Sequence, residues 1–226
     1  MKAIGITSPA RLADVARRVF RAGPFLVRNL QHWRPYICPF EQMLPHVPAR
    51  SHILDIGCGG GLWGALVAAV CKPARFVGFD SSRNAIAMAH ANLARFDTLA
   101  DGATRPEFLL LDVGAPWPEG TFDVVSIIDV VHHIPPRFQR SVLEQAAGVL
   151  APGGVLIYKD MTARGWFRPA MNRLHDLALA RQWIHYAPLD QVESWLTHVG
   201  LTLTRRDSFT RGWYGHELLV FHKPPV

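Results

Sequence analysis

The run Ile53-Leu54-Asp55-Ile56-Gly57-Cys58-Gly59-Gly60-Gly61 decides the fold. Ile53, Leu54 and Ile56 read as a strand buried on both faces, as in parallel sheets, and the apolar stretch from Leu62 to Val70 reads as the helix that follows. The glycines between them let the backbone turn tightly and let a ligand lie against bare main chain. The helix aims its amide-rich N-terminus at the same place. Strand, glycine turn and helix therefore make a cradle for a nucleotide-like ligand. Asp55 adds a charge requirement, because a carboxylate beside the turn repels a pyrophosphate and suits a ligand carrying positive charge.

Two registers compete for these glycines. Gly59-x-Gly61-x-x-Gly64 fits the dinucleotide fingerprint, but it begins far from the strand end and leaves Asp55 without a purpose. The phosphate-binding pattern G-x-x-x-x-G-K-[ST] does not occur. The spacing Asp55-x-Gly57-x-Gly59-x-Gly61 resembles the first motif of class I S-adenosylmethionine-dependent methyltransferases. That resemblance implies a cofactor with an amino-acid tail and a sulfonium, held by Asp55, Gly57, Cys58, Gly59 and Gly61.

The next strand ends confirm the order of motifs. Arg75 to Phe79 reads as a second strand ending at Asp80, whose carboxylate suits a ribose diol, with Ser81 beside it. The competing role for Asp80 is to cap the helix expected from about Arg83 to Phe96, for which Ser81 and Ser82 serve equally well. Glu107 to Leu111 reads as strand three and ends in Asp112-Val113. In the family this resembles, an acidic residue there binds the adenine amino group; the competing role is a turn-forming aspartate. Phe122-Asp-Val-Val within a fourth strand, followed by Asp129 and the pair His132-His133, is similar to the family's fourth motif, and adds Asp129 to the cofactor residues. A helix from about Arg137 to Leu150, then Leu150-Ala-Pro-Gly-Gly before a fifth strand, Val155 to Tyr158, continues the likeness.

Composition sets the outer bounds. At 226 residues and 49% hydrophobic, the chain suits one α/β domain. No apolar run reaches the roughly eighteen residues of a membrane span. Cys38, Cys58 and Cys71 show neither metal-ligand spacing nor a disulfide framework, and no metal is expected. With no apolar signal-peptide core at the N-terminus, the expected compartment is the cytoplasm. The net charge of +6 is all local: residues 1–50 hold Lys2 and seven arginines against Asp14 and Glu41, and the remainder balances. Ser8-Pro9 opens an amphipathic helix whose apolar side is Leu12, Val15, Ala16, Val19 and Phe20, with Arg11, Arg17, Arg18 and Arg21 opposite. A solvated basic face is the plain reading. The sharper one is attraction to an acidic carrier protein or an anionic membrane surface, giving peripheral association. Phe25 to Pro48 reads as a short helix and connections leading into the core.

Residues 161–188 form an insertion after strand five with Trp166, Phe167, Met171, Trp183 and Tyr186 among arginines, and Leu174, Leu177 and Ala178 at helical spacing. In the family this resembles, such an insertion is a lid over the acceptor, so Trp166, His175 and Tyr186 join His132 as candidate substrate residues. Asp160, ending Tyr158-Lys159-Asp160, is the leading candidate general base and His133 the second. The competing reading of Asp160 is a surface carboxylate paired with an arginine. His175 and Asp176 are adjacent on a helix and cannot face each other. After strand four the chain reads Asp129-Val-Val-His132 in place of the [DNS]-P-P-[YFW] of nucleic-acid methyltransferases, so no nucleic acid is expected. The aromatic insertion suits a flat or apolar acceptor. The Lys-Asp, Leu-His-Asp and Trp-Ile-His-Tyr runs are similar to those of aryl polyene pathway methyltransferases.

The expected architecture is a Rossmann-like class I methyltransferase. It has a seven-stranded, mostly parallel sheet with an antiparallel last strand and helices on both faces. Residues 1–50 form a helical extension, 51–160 the cofactor core, 161–188 the lid, and 189–226 a closing helix and hairpin. The expected function is methyl transfer from S-adenosylmethionine, yielding S-adenosylhomocysteine, to oxygen or carbon of a small aromatic or lipophilic acceptor. The alternatives are an NAD(P)-dependent oxidoreductase and a noncatalytic cofactor-binding partner protein.

Overall fold

The computed structural model describes residues 8–99, 104–161, 185–212 and 214–225, and the chain divides into two compact units, Met1–Gly120 and Thr121–Val226. Trp166, His175 and most of the expected lid lie outside the described residues, as does Trp213.

In the first unit, α1 (Pro9–Val19) starts where Ser8 Oγ accepts the Arg11 amide, and it buries Leu12, Ala13, Val15, Ala16 and Val19. Its arginines face outward. Gly23, at φ +104°, and Pro24 turn the chain into α2 (Phe25–Ile37), a full thirteen-residue helix where a short one was expected, with Pro35 inside it. Asn92 fixes this corner: its Oδ1 accepts the Arg21 and Ala22 amides at 3.1 and 2.9 Å. Its Nδ2 donates to the Met88 carbonyl at 2.8 Å. A short α3 (Phe40–Met43) leads to β1 (His52–Ile56) and α4 (Leu62–Val70). Two further strands, β2 (Arg75–Asp80) and β3 (Glu107–Leu110), complete a parallel β3-β2-β1 order, with α5 (Arg83–Asn92) between them. The Ser82 hydroxyl caps α5, which tightens to a 3₁₀ turn over Leu93–Thr98 where continuous helix was expected.

The second unit holds β4 (Phe122–Ile128), α6 (Pro136–Gly148), β5 (Leu150–Met161), α7 (Leu189–His198), β6 (Thr202–Arg211) and β7 (Tyr214–His222). Strand order here is β4-β5-β7-β6, with β5 parallel to β4 and β7 antiparallel to both its neighbours. The seven strands are those of the expected mixed sheet. β5 extends well before Val155, because Pro152-Gly153-Gly154 is absorbed into a register shift against β4. Gly154 is required there: a Cβ would stand 2.8 Å from the Ala151 carbonyl. Gly200, at φ +88°, ends α7, and Arg206 of β6 reaches both Asp190 and Glu193 of that helix.

Candidate functional site

In the first unit the tip of β1 carries the glycine turn. The amides of Gly57 and Cys58 both donate to the Phe79 carbonyl of β2, at 2.8 and 2.9 Å, so the turn is stitched to the neighbouring strand. Gly57, Gly59 and Gly61 all have positive φ, at +70°, +54° and +86°. Gly59 and Gly61 differ in what surrounds them. A Cβ on Gly61 would stand 2.7 Å from Phe108 Cζ, so that side is closed by β3 packing. A Cβ on Gly59 would meet nothing within 4 Å, leaving bare main chain facing open space.

Asp80 at the tip of β2 accepts the Gly59 amide on Oδ2 at 2.9 Å and the Ser82 amide on Oδ1 at 2.7 Å. Capping of α5 falls to Ser82, which accepts the Ala85 amide. Each Asp80 oxygen has a second lone-pair direction beyond its backbone bond, enough for a diol. Ser81 beside it is exposed. Asp55 is buried at the end of β1. The Cys58 thiol is pushed far above its ordinary range by burial first and then by Asp55 and Asp80, so it stays protonated and packs rather than reacts. Past β3, Asp112 is exposed and its Oδ1 accepts the Gly114 amide at 2.9 Å, so the turn-forming role is real. The Val113 carbonyl accepts the Trp117 indole N–H, and Trp117 packs against Phe79, anchoring this corner to β2.

One residue beside the turn escaped the sequence reading. Gln31 on α2 is only 7% exposed, and its Nε2 lies 3.4 Å from where a Gly60 Cβ would stand. Its Oε1 is buried with no hydrogen-bond partner among the described residues. The available signal was helical phase: Gln31 and Pro35, four apart, are the buried positions of α2, whereas Leu26 and Trp33 are exposed.

The second unit carries the remaining strand tips, at the ends of β4 and β5. Asp129 follows β4 at φ +58°, donates its amide to the Lys159 carbonyl, and forms an ion pair with the fully buried Lys159 ammonium. That ion pair neutralises the buried lysine through Oδ1 of Asp129. Asp160 is 3% exposed, so it is not a surface carboxylate, and among the described residues none of its hydrogen-bond partners is an arginine. It accepts the His132 amide at 3.2 Å, the His132 Nδ1 proton, the Met161 amide at 2.7 Å and the Tyr158 hydroxyl at 3.4 Å. Burial, then Asp160 and Glu217, hold that phenol well above its ordinary 10.0, so it remains a donor. Four donors thus converge on the Asp160 carboxylate. His132 is buried, whereas His133 is exposed with its ring centroid 4.1 Å away. Tyr186 lies 5.9 Å from the His132 ring. Gln139 of α6 braces the histidine turn by donating to the Val131, Ile134 and His185 carbonyls, and the His185 amide donates to the His132 carbonyl.

The sequence profile described as "Methyltransferase domain" matches residues 28–205, more than half of the chain. The chain belongs to the methyltransferase-domain family. Its relatives include the 27-O-demethylrifamycin SV methyltransferase of Amycolatopsis mediterranei, 35% identical over 119 residues, covering 52% of this chain and 41% of that protein. The 2-methyl-6-phytyl-1,4-hydroquinone methyltransferase of Synechocystis is 28% identical over 155 residues, covering 64% of this chain and 43% of the relative. The chain thus spans about half or less of the curated relatives it matches. The fold matches the crystal structure of magnesium protoporphyrin IX methyltransferase from Synechocystis with bound S-adenosylhomocysteine, at TM-score 0.65 and 19% identity over 93% of each chain. This methyltransferase fold accounts for the strand order within each unit and for the antiparallel β7.

Proposed function

We propose that this methyltransferase-domain chain transfers the methyl group of S-adenosylmethionine to oxygen or carbon of a small aromatic or lipophilic acceptor, releasing S-adenosylhomocysteine. The observation that carries the reading is the open Gly59 main chain held beside the Asp80 carboxylate. The residues present fit that cofactor. Gly57, Gly59 and Gly61 form its main-chain bed, and Asp80 with Ser81 receives the ribose hydroxyls. Asp112 and Val113 take the adenine, while buried Asp55 complements the positive charge of the amino-acid and sulfonium end and neutral Cys58 lines it. When bound, the cofactor supplies an electrophilic methyl, whose transfer leaves an electron pair on sulfur.

The chain's own part is alignment and proton removal. Asp160 accepts from His132 Nδ1, so that nitrogen carries the proton and Nε2 is the acceptor nitrogen. His132 Nε2 therefore serves as general base for an acceptor that arrives as a phenol or enol, with Asp160 as its orienting partner. His133 lies beside His132 with its ring centroid 4.1 Å away, and Tyr186 borders the acceptor. The hydroquinone named for the Synechocystis relative belongs to the same chemical class, aromatic and lipophilic. The basic face of α1 is read as the contact for an acidic partner that presents the acceptor. No helix of the described residues is long and apolar enough to cross a membrane.

Thermal shift with S-adenosylhomocysteine, set beside NADPH, tests the cofactor; a shift with NADPH alone would sink the reading. Incorporation of label from S-adenosylmethionine into a cell-extract product tests transfer, and mass analysis of that product identifies the acceptor class.

A further inference from the structure

The outer face of α2 is built the wrong way round for a helix packed on a soluble domain. Leu26 is 80% exposed, Phe25 65% and Trp33 62%, with Leu30 and Tyr36 also exposed. Positions 26, 30 and 33 follow helical spacing, so these side chains form one apolar face, flanked by Phe25 and Tyr36. The opposite, buried face holds polar Gln31 against the glycine turn. A contiguous exposed patch of large apolar side chains marks an interaction surface.

Charge narrows the occupant to an anionic one. From residue 8 to residue 37 the chain carries Arg11, Arg17, Arg18, Arg21, Arg28 and Arg34 against Asp14 alone. Arg11, Arg17, Arg18 and Arg21 are exposed. We infer that α2 is an interfacial helix that lays Phe25, Leu26 and Trp33 into an anionic membrane surface while the arginines of α1 and its connection meet lipid phosphates. Tryptophan and tyrosine beside aliphatic side chains match the headgroup boundary, and the arginines next to them, Arg28 over the Phe25 ring and Arg17 beside Tyr36, match its negative potential. A second copy would bring one strongly cationic segment against another. An acidic protein would also meet the arginines, and binding to one without binding to vesicles is the contrary outcome of the test. The inference narrows the acidic partner read from α1 to a membrane and rests on that reading for charge, while needing no step of methyl transfer. Because Gln31 stands on the other side of the same helix, the docked helix would be the roof of the cofactor bed.

Co-sedimentation of the full chain with phosphatidylcholine vesicles, with and without phosphatidylserine, tests it. The expected result is binding to the phosphatidylserine vesicles, weakened by salt, and reduced roughly tenfold or more in a Leu26→Asn, Trp33→Ser double variant. An unchanged melting temperature and S-adenosylhomocysteine shift would show that the variant is folded. Equal sedimentation of wild type and variant, or none with anionic vesicles, would overturn the inference. So would a dimer that the double variant dissociates, or binding to an acidic acyl carrier protein without binding to vesicles. A failed S-adenosylhomocysteine shift with intact vesicle binding would remove the cofactor reading and leave this one standing.

Discussion

The Gly59 amide donates to Asp80 Oδ2 at 2.9 Å, so the tip of β2 holds the glycine turn of β1 open by the same carboxylate proposed to receive the ribose. Asp80→Ala removes the side-chain acceptors of two backbone amides at once, since Oδ1 also takes the Ser82 amide. Affinity for S-adenosylhomocysteine is expected to fall by about 1–3 kcal/mol, the scale of hydrogen bonds to a charged group. Isothermal titration measures it, and unchanged affinity would remove Asp80 from the binding set.

Gly59 and Gly61 separate binding from folding. Alanine at Gly61 would meet Phe108 at 2.7 Å and keep a positive φ, so a stability loss of about 1–3 kcal/mol is expected in urea. Alanine at Gly59 costs only the left-handed backbone penalty, about 1–2 kcal/mol, because nothing stands within 4 Å. Its Cβ fills the open side, so cofactor affinity should drop far more than stability. A Gly59→Ala protein that binds normally would contradict the bed assigned here.

Much of this was legible in the sequence, for reasons that differ by residue. The β1 turn was readable because the glycines require positive φ and sit beside an apolar strand, a purely local constraint. Asp80 and Asp112 were readable because strand ends are locatable from apolar runs. Gln31 was not, since its meaning lies in its proximity to Gly60, twenty-nine residues on. The pairing of Asp129 with Lys159, and of Asp160 with His132, was hidden for the same reason: a strand pattern shows that a carboxylate stands at a tip, not which side chain of the neighbouring segment it meets. Adjacent residues on β5, Lys159 and Asp160, point to opposite faces and so serve different partners.

Gln31 gives a prediction that distinguishes a waiting ligand contact from a packing defect. Its buried Oε1, without a partner among the described residues, costs the folded protein free energy until something donates to it. Gln31→Leu should therefore leave stability unchanged or raise it, and weaken S-adenosylhomocysteine binding by about 0.5–1.5 kcal/mol. A gain in stability with no loss of affinity would make Gln31 merely a frustrated core residue.

The His132 and Asp160 pair predicts a split between binding and rate. Asp160→Asn can donate where the aspartate accepts, which favours the wrong His132 tautomer. The methyl-transfer rate on a protonated acceptor should fall by about 10²–10⁴, with S-adenosylhomocysteine affinity unchanged. The loss should shrink as pH is raised through the acceptor's own ionisation, because a deprotonated acceptor needs no base. A loss independent of acceptor ionisation would assign the pair to structure alone.

The buried thiol of Cys71 sets an alkaline limit on stability. Burial raises it from 9.0 to about 12, and the sulfur lies 3.7 Å from the Leu44 carbonyl. Between those two values the unfolded chain has lost the proton that the native chain retains, so the unfolded state binds fewer protons and stability falls as pH rises. Below about 9 both states are protonated and the contribution is complete. Other groups titrate in this window, so the informative quantity is a difference. Cys71→Ala costs a small cavity at neutral pH, about 1 kcal/mol, but its melting temperature should decline less steeply than wild type from pH 9 to 12. Parallel slopes for the two proteins would mean that the thiol ionises freely in the folded state, which burial at 8% exposure opposes.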